Sequence, residues 1–216
     1  MSGIFKSILF ACIIIATLSS ISGAQELKDI SLPSPRMKGG MPLMQALKER
    51  QTSRAFSEKK LPPQLLSDLL WAAAGINKPD SGRRTAPSAR NWQEVQVYAI
   101  MREGAYHYDA KANCMRAIAK GDLRKLTGGQ DLATSAPLNL VYVADLSKMK
   151  GAPEKDKELY AGADTGSISQ NVYLFCASEG LATVVRALVD RKPLTEALKL
   201  SPDMKIVLIQ TVGYPK

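Results

Sequence analysis

Histidine is almost missing from this chain, with His107 the single example. One histidine excludes a multi-histidine metal centre and argues against a Ser-His-Asp machine. Cysteine is nearly as scarce: Cys12 lies in an amino-terminal apolar run, leaving Cys114 and Cys176. Two thiols cannot make a disulfide framework, although a single Cys114–Cys176 bridge stays open in an oxidising compartment. Cys176 sits in an apolar run, where a free thiol is ordinarily a small buried hydrophobe. There is no Gly-x-Gly-x-x-Gly, no P-loop and no Cys-x-x-Cys. Basic residues outnumber acidic ones, giving +9, but they are dispersed and form no basic arm. That distribution argues against nucleic acid and for a mild field that draws anionic ligands. An enzyme built from this inventory must take most of its chemistry from a bound organic cofactor.

The amino terminus does carry a clear signal. Lys6, the apolar run Ile8–Leu18 and the small residues Ser22-Gly23-Ala24 have the three-part order of a secretory leader. The run is too short to span a bilayer, which takes about 20 apolar residues. We expect a signal peptide at 1–24 with cleavage near Ala24, then an extended lead-in at 25–40 and one domain at 41–216. The expected mature protein is exported, periplasmic or secreted, without a stable membrane anchor.

Hydrophobic spacing then sets out the elements. Leu43 and Leu47 share a face of a helix at 42–50. A second helix starts at Pro62-Pro63 and stops at Gly75, with Leu65, Leu66, Leu69, Leu70 and Ala73 at helical intervals. Residues 76–93 read as a long ordered loop, 94–101 and 105–108 as a strand pair, and 112–134 as two short helices. Leu138–Ala144 is a β-branched strand, followed by a charged loop at 147–157. The most conspicuous stretch is Gly162–Val185, apolar on nearly every face from Ile168 to Ala177 and broken at Gly180. An all-round apolar helix is a buried one, and glycine stops a helix by taking the left-handed conformation at no steric cost. A strand at 182–186, a helix at 193–200 and a strand at 205–211 complete the chain. Hairpins with a separate set of helices imply an α+β fold: a central, mainly antiparallel sheet flanked by helices.

Three clusters offer binding chemistry. Arg50, Thr52 and Arg54 put two guanidiniums and a hydroxyl within five residues, a donor set suited to phosphate. Ser88, Asn91 and Gln93 place donors and acceptors for a heterocycle edge on a proline-stiffened loop. Glu179, Gly180 and Leu181 present backbone at a helix end. The bland readings are an exposed basic turn, a polar loop and an ordinary glycine cap. His107, in a Tyr-His-Tyr alternation, reads as an idle surface residue.

The order and spacing of these clusters resemble the FMN-dependent nitroreductase family. Arg50-Gln51-Thr52-Ser53-Arg54-Ala55-Phe56 is similar to its amino-terminal Arg-x-Ser-x-Arg-x-Phe element. Residues 87–93 are similar to its Pro-Ser-x-x-Asn-x-Gln loop, Glu179-Gly180-Leu181 to the end of its buried helix, and Val212–Pro215 to its Val-Gly-Tyr-Pro ending. Tyr106–Asp109 and Gly121–Arg124 look most like the azoline-oxidase subgroup. That subgroup's Lys-Tyr pair has no match here, the nearest candidates being Lys157 and Tyr160.

The resemblance implies a homodimer that binds FMN between its copies. Arg50 and Arg54 would hold the phosphate, with Thr52 in the place of serine and Lys216 as a further basic residue. Ser88, Asn91 and Gln93 would face the pyrimidine edge from the partner subunit. The backbone of Glu179 and Gly180 would face N5 and O4 of the flavin, with Leu181, also counted as cofactor-binding, leading away into the sheet. The implied activity is two-electron transfer to or from a small acceptor such as a nitro compound or quinone, with no obligatory acid or base side chain. NAD(P)H, a quinol and a redox protein all stand as donors. The alternative is an exported, non-catalytic flavin- or anion-binding protein on the same fold.

Overall fold

A computed structural model describes residues 26–129 and 131–216, so the expected leader and Cys12 lie outside the described residues. Seven antiparallel strands form the main sheet: β1 (Ile30–Ser31), β4 (Val95–Ile100), β5 (Gly104–Asp109), β6 (Cys114–Lys120), β7 (Leu138–Asp145), β8 (Ala182–Arg186) and β9 (Met204–Gly213). Their order is β1-β6-β5-β4-β7-β9-β8, and β2 (Ile76–Lys78) pairs with β3 (Arg83–Arg84) as a separate hairpin. The antiparallel sheet with flanking helices is the expected fold class.

Strand β7 is buried at every residue but its last. A strand covered on both faces reads as a near-continuous apolar run, and Leu138–Ala144 is one, interrupted only by the buried Asn139. One face carries α2 (Pro63–Ala74) and α4 (Glu154–Ser178), whose Leu66, Leu69, Ile168 and Val172 pack on Val95, Val97, Leu140 and Tyr142. Each fully buried Leu or Ile contributes about 1.5–3 kcal/mol relative to exposure. The opposite face carries α5 (Arg191–Ala197), whose Leu194 packs with Tyr98, Ile100, Val141 and Ile209. The remaining helices are α1 (Leu43–Glu49) and the single turn α3 (Leu132–Ser135).

Several expectations change. The lead-in is no free linker: β1 pairs with β6 through Ile30↔Met115. Residues 114–120, expected as helix, are a strand. Met115, Arg116, Ala117 and Ala119 favour helix locally, but β5 and β1 supply ladder partners on both edges and override that preference. The long helix begins at Glu154, eight residues before Gly162, with Glu154 and Asp156 in its first turn, where the helix dipole favours negative charge. It is not buried all round. Asp164, Thr165, Ile168, Ser169, Val172 and Cys176 are covered by this chain, while Gly166 and Gln170 face outward. The apolar face expected to bury α1 is likewise open, with Met44 77 % exposed and Leu43 and Leu47 beside it. Residues 76–93 contain the β2–β3 hairpin. His107 is half-buried, its ring 5.1 Å from that of Tyr98, and burial pulls its pKa below the ordinary 6.5. Both Cys114 and Cys176 are free and buried, and burial raises the Cys176 thiol. Among the described residues no helix is long and apolar enough to cross a membrane.

Candidate functional site

The basic segment is positioned by the sheet edge and the carboxy terminus. Ser53 N–H donates to Thr183 O of β8 (3.0 Å), and Ser57 N–H donates to Tyr214 O (2.9 Å). Phe56 is buried and bridges to Pro215. Strand β8 is itself fixed by the buried Arg186. Its guanidinium donates to Thr127 O, Asn139 Oδ1 and Thr211 Oγ1, so every nitrogen of this carboxylate-free cation is satisfied.

On that support, Arg50 lies with its guanidinium 5.5 Å from the ring centre of Tyr173, a cation–π contact. Thr52 Oγ1 is 3.1 Å from Tyr173 OH, and Tyr173 OH also accepts from Val185 N–H (3.0 Å). Tyr173, which the sequence reading passed over, therefore orients both ends of the Arg50–Thr52 pair. Arg54 is exposed and makes no ion pair among the described residues. Lys216 N–H donates to Ala55 O (3.3 Å), bringing the last basic residue beside Arg54 from the far end of the sequence.

Helix α4 ends next to this segment. Leu181 N–H closes back onto Cys176 O (2.8 Å), and Gly180 stands exposed at φ +66. This six-to-one closure with a left-handed glycine is a Schellman stop. A Cβ on Gly180 would meet nothing in the chain within 4 Å, so glycine is required here by the backbone angle and not by the fold's own packing. Beside it lies a cleft of about 330 Å³ whose lining includes Met41, Ser53, Tyr173, Gly180, Thr183 and Pro215. That volume lies at the low end of ligand pockets.

The 87–93 loop is built differently. Arg90 (φ 50), Asn91 (φ 56) and Gln93 (φ 50) all take left-handed backbone. Such residues cost about 1–3 kcal/mol each and persist where their surroundings hold them. Ser88 and Gln93 spend their polar atoms inside the chain. Ser88 Oγ accepts from Gln93 N–H (2.8 Å) and donates to Glu94 Oε2 (3.1 Å). Gln93 Nε2 donates to Gly82 O (3.0 Å) and Asn91 Oδ1 (3.1 Å), while Gln93 Oε1 accepts from Arg84 Nε (2.9 Å). Of Ser88, Asn91 and Gln93, Asn91 alone is exposed. The sequence reading also missed Arg84, Glu94 and Asp164, which hold the loop from below; a charged residue at a strand start and another inside an apolar helix were the available signals. Tyr160 packs edge-on against Trp92, their ring centres 5.6 Å apart, while Lys157 is paired to Glu154 at 2.7 Å.

One distance decides how these parts can work together. The loop meets α4 at Asp164, through Ala89 N–H to Asp164 Oδ2 (2.8 Å), whereas Gly180 lies sixteen residues on. At 1.5 Å per residue that is about 24 Å along the axis, too far for one small ring to touch both. The Arg50–Arg54 segment, Lys216 and Gly180 form one constellation within a chain; Ser88, Asn91 and Gln93 belong to another.

The free cations and the left-handed glycine beside a cleft fit an anionic planar cofactor: the cations suit a phosphate, and the open Gly180 backbone suits a flat ring. The nitroreductase family model matches residues 47–214. The chain therefore belongs to the nitroreductase family, and it is an oxidoreductase by that membership. A nitroreductase-family structure from Ralstonia eutropha shares 41 % identity and a TM-score of 0.84, covering 88 % of this chain and 90 % of that one. A nitroreductase-family protein of Methanocaldococcus jannaschii is 28 % identical over 174 residues, 73 % of this chain and 84 % of its own length. A chain of the Escherichia coli microcin synthetase complex, solved with a truncated pro-microcin, shares the fold at TM-score 0.67 and 19 % identity, covering 97 % of this chain and 85 % of its own.

Proposed function

We propose that this protein is an exported, FMN-dependent oxidoreductase, working as a homodimer that moves two electrons to or from a small acceptor such as a nitro compound or a quinone. The observation that carries this reading is the meeting of the Arg50–Arg54 segment, through Gln51 and Ser53, with the end of α4 along one cleft, where Gly180 leaves left-handed backbone exposed.

Arg50, Thr52 and Arg54 would bind the phosphate by charge-assisted hydrogen bonds. Tyr173 would keep Arg50 and Thr52 aimed before the ligand arrives. Gly180 would let the ring lie against backbone, whose fixed dipoles stabilise developing charge without reorganising. Asn91 from a second copy would address the ring's polar edge. Two copies with their α4 helices antiparallel bring the Asn91 loop of one to the Gly180 end of the other, which the 24 Å spacing forbids within one chain. The exposed Leu43, Met44 and Leu47 of α1 and Leu159 of α4 are apolar surface for such an interface. When bound, FMN supplies reversible two-electron transfer at its N5 position.

The chain offers few side chains for proton transfer at this cleft, so a reduced nitro or quinone product would take its protons from water. Export would separate the protein from cytoplasmic NADH and NADPH, which makes quinols and redox proteins donors to be tried alongside NAD(P)H. Purified mature protein is expected to be yellow and dimeric, and stopped-flow bleaching with NADH, NADPH and a quinol identifies the donor. A colourless, well-folded protein that ignores added FMN overturns the proposal.

A further inference from the structure

Two buried carboxyl groups have no part in the reading above. Glu94, just ahead of β4, is 0 % exposed, and Asp164, on the sheet side of α4, is 8 % exposed. They hold adjacent residues of the 87–93 loop, Ser88 and Ala89, which brings the two acids close enough for the Asp164 charge to act on Glu94. Glu94 Oε2 accepts from Ser88 Oγ (3.1 Å), which in turn accepts from Gln93 N–H, and Asp164 Oδ2 accepts from Ala89 N–H (2.8 Å). Three residues of that loop are held in left-handed backbone.

No cation offsets this pair among the described residues. Arg90 turns to Gly151 O and the Trp92 ring, Arg84 to Gln93 Oε1 and Ala74 O, and Lys148 to Gln93 O. Asp145, whose N–H donates to Glu94 O, caps Ser147 with its own carboxylate. Two ionised carboxylates buried near each other without a cation repel each other. Glu94 Oε1 is also buried with no N–H or O–H to accept, and a buried polar atom left unmatched is costly. A proton on Glu94 answers both problems, because it removes one charge and turns the orphaned oxygen into a donor.

We propose that Glu94 and Asp164 are positioning residues: two buried carboxyl groups that, through Ser88 and Ala89, lock the 87–93 loop in the shape that presents Asn91. The proposal rests on the FMN reading for what Asn91 contacts, but the lock itself does not. Burial, with the Asp164 charge added to it, holds the Glu94 carboxyl above its ordinary value of 4.5 against the opposing hydrogen bonds from the Glu94 backbone and Ser88. A raised carboxyl keeps its proton longer in the folded protein, so the lock is complete at acid pH. It loosens as pH rises through the raised value.

Two measurements test this. In a Trp71→Phe background without FMN, Trp92 fluorescence reports the loop, and it is expected to follow a one-proton transition that Glu94→Gln abolishes. The glutamine keeps a permanent N–H at the orphaned position, so it is expected to lock the loop at every pH, whereas Glu94→Ala loosens it throughout. FMN affinity, read by flavin fluorescence, is expected to match between wild type and Glu94→Gln at low pH. Above the transition the wild type alone weakens, by several-fold. The comparison cancels the titration of the FMN phosphate itself. Identical pH profiles for wild type and Glu94→Gln, or a Glu94→Ala protein that binds FMN as the wild type does, overturn the proposal. A wild type that never binds FMN while Trp92 still titrates through Glu94 overturns the FMN reading and supports the lock.

Discussion

The two places where α4 meets functional segments are made in opposite ways. Around Asp164 most polar groups are spent internally: Ser88, Ala89, Gln93 and Glu94 are linked in one network, and Asn91, joined to it through Oδ1, is the exposed binding candidate. In the Arg50–Arg54 segment the cations are open, with Arg54 exposed and in no ion pair among the described residues and Arg50 resting on a tyrosine ring. The first region is a strained shape fixed before any ligand arrives; the second is a set of donors left for a ligand to satisfy. A site assembled from both keeps its geometry from one and its affinity from the other, which is the division of labour that preorganised binding requires.

The comparison breaks most completely if the two regions are kept apart. Leu43→Glu with Met44→Glu places charges on the exposed face of α1. If that face is the dimer contact, light scattering will show monomers and bound FMN will be lost. A double variant that stays dimeric and yellow removes α1 from the interface. Next in size is Arg54→Ala, expected to weaken FMN by about 10- to 100-fold, the range for losing a charge-assisted hydrogen bond. Its melting temperature should not move, since the side chain is exposed and in no ion pair among the described residues; an unchanged flavin affinity would return this segment to a plain basic turn.

Gly180→Ala sharpens the contrast further. The added Cβ meets nothing in the chain, but the backbone at φ +66 costs a non-glycine residue about 1–2 kcal/mol, to be read by urea unfolding. Flavin affinity is expected to fall as well. A stability loss without an affinity loss would show that the ring does not approach residue 180. The smallest effect belongs to Lys216→Ala, about 2- to 5-fold on FMN affinity and fading with salt, as for an exposed charge pair. An unchanged affinity at every salt concentration would mean that Lys216 contributes only its backbone bond to Ala55, which alanine keeps.

Local patterns that repeat over many residues were readable directly. Helix α2, bounded by proline and glycine with leucines at helical intervals, and β7, apolar at nearly every position, needed no partner to be recognised. Strand β6 was not readable, because Met115–Lys120 is built from helix formers and becomes a strand only where β5 and β1 offer hydrogen bonds. The start of α4 was hidden by charged residues that sit well in a first turn but resemble a loop in isolation. Of the binding candidates, the chemical type of Arg50, Thr52, Arg54 and Asn91 could be named from residue identity. The inward turn of Ser88 and Gln93 could not, since it depends on Gly82, Arg84 and Glu94 closing around them.

The sequence by itself determined the inventory: scarce histidine and cysteine, a basic clamp with one hydroxyl, a proline-led polar loop and a glycine to end a long helix. Those follow from residue chemistry and short-range spacing, which need no fold. Tertiary structure alone decided which of these meet. It carried Lys216 to Arg54 across the sheet edge, brought Asp164 near Glu94, and put some 24 Å of rigid helix between Asn91's loop and Gly180. Contacts between distant residues depend on how strands pair and helices pack, and neither spacing nor propensity encodes that distance.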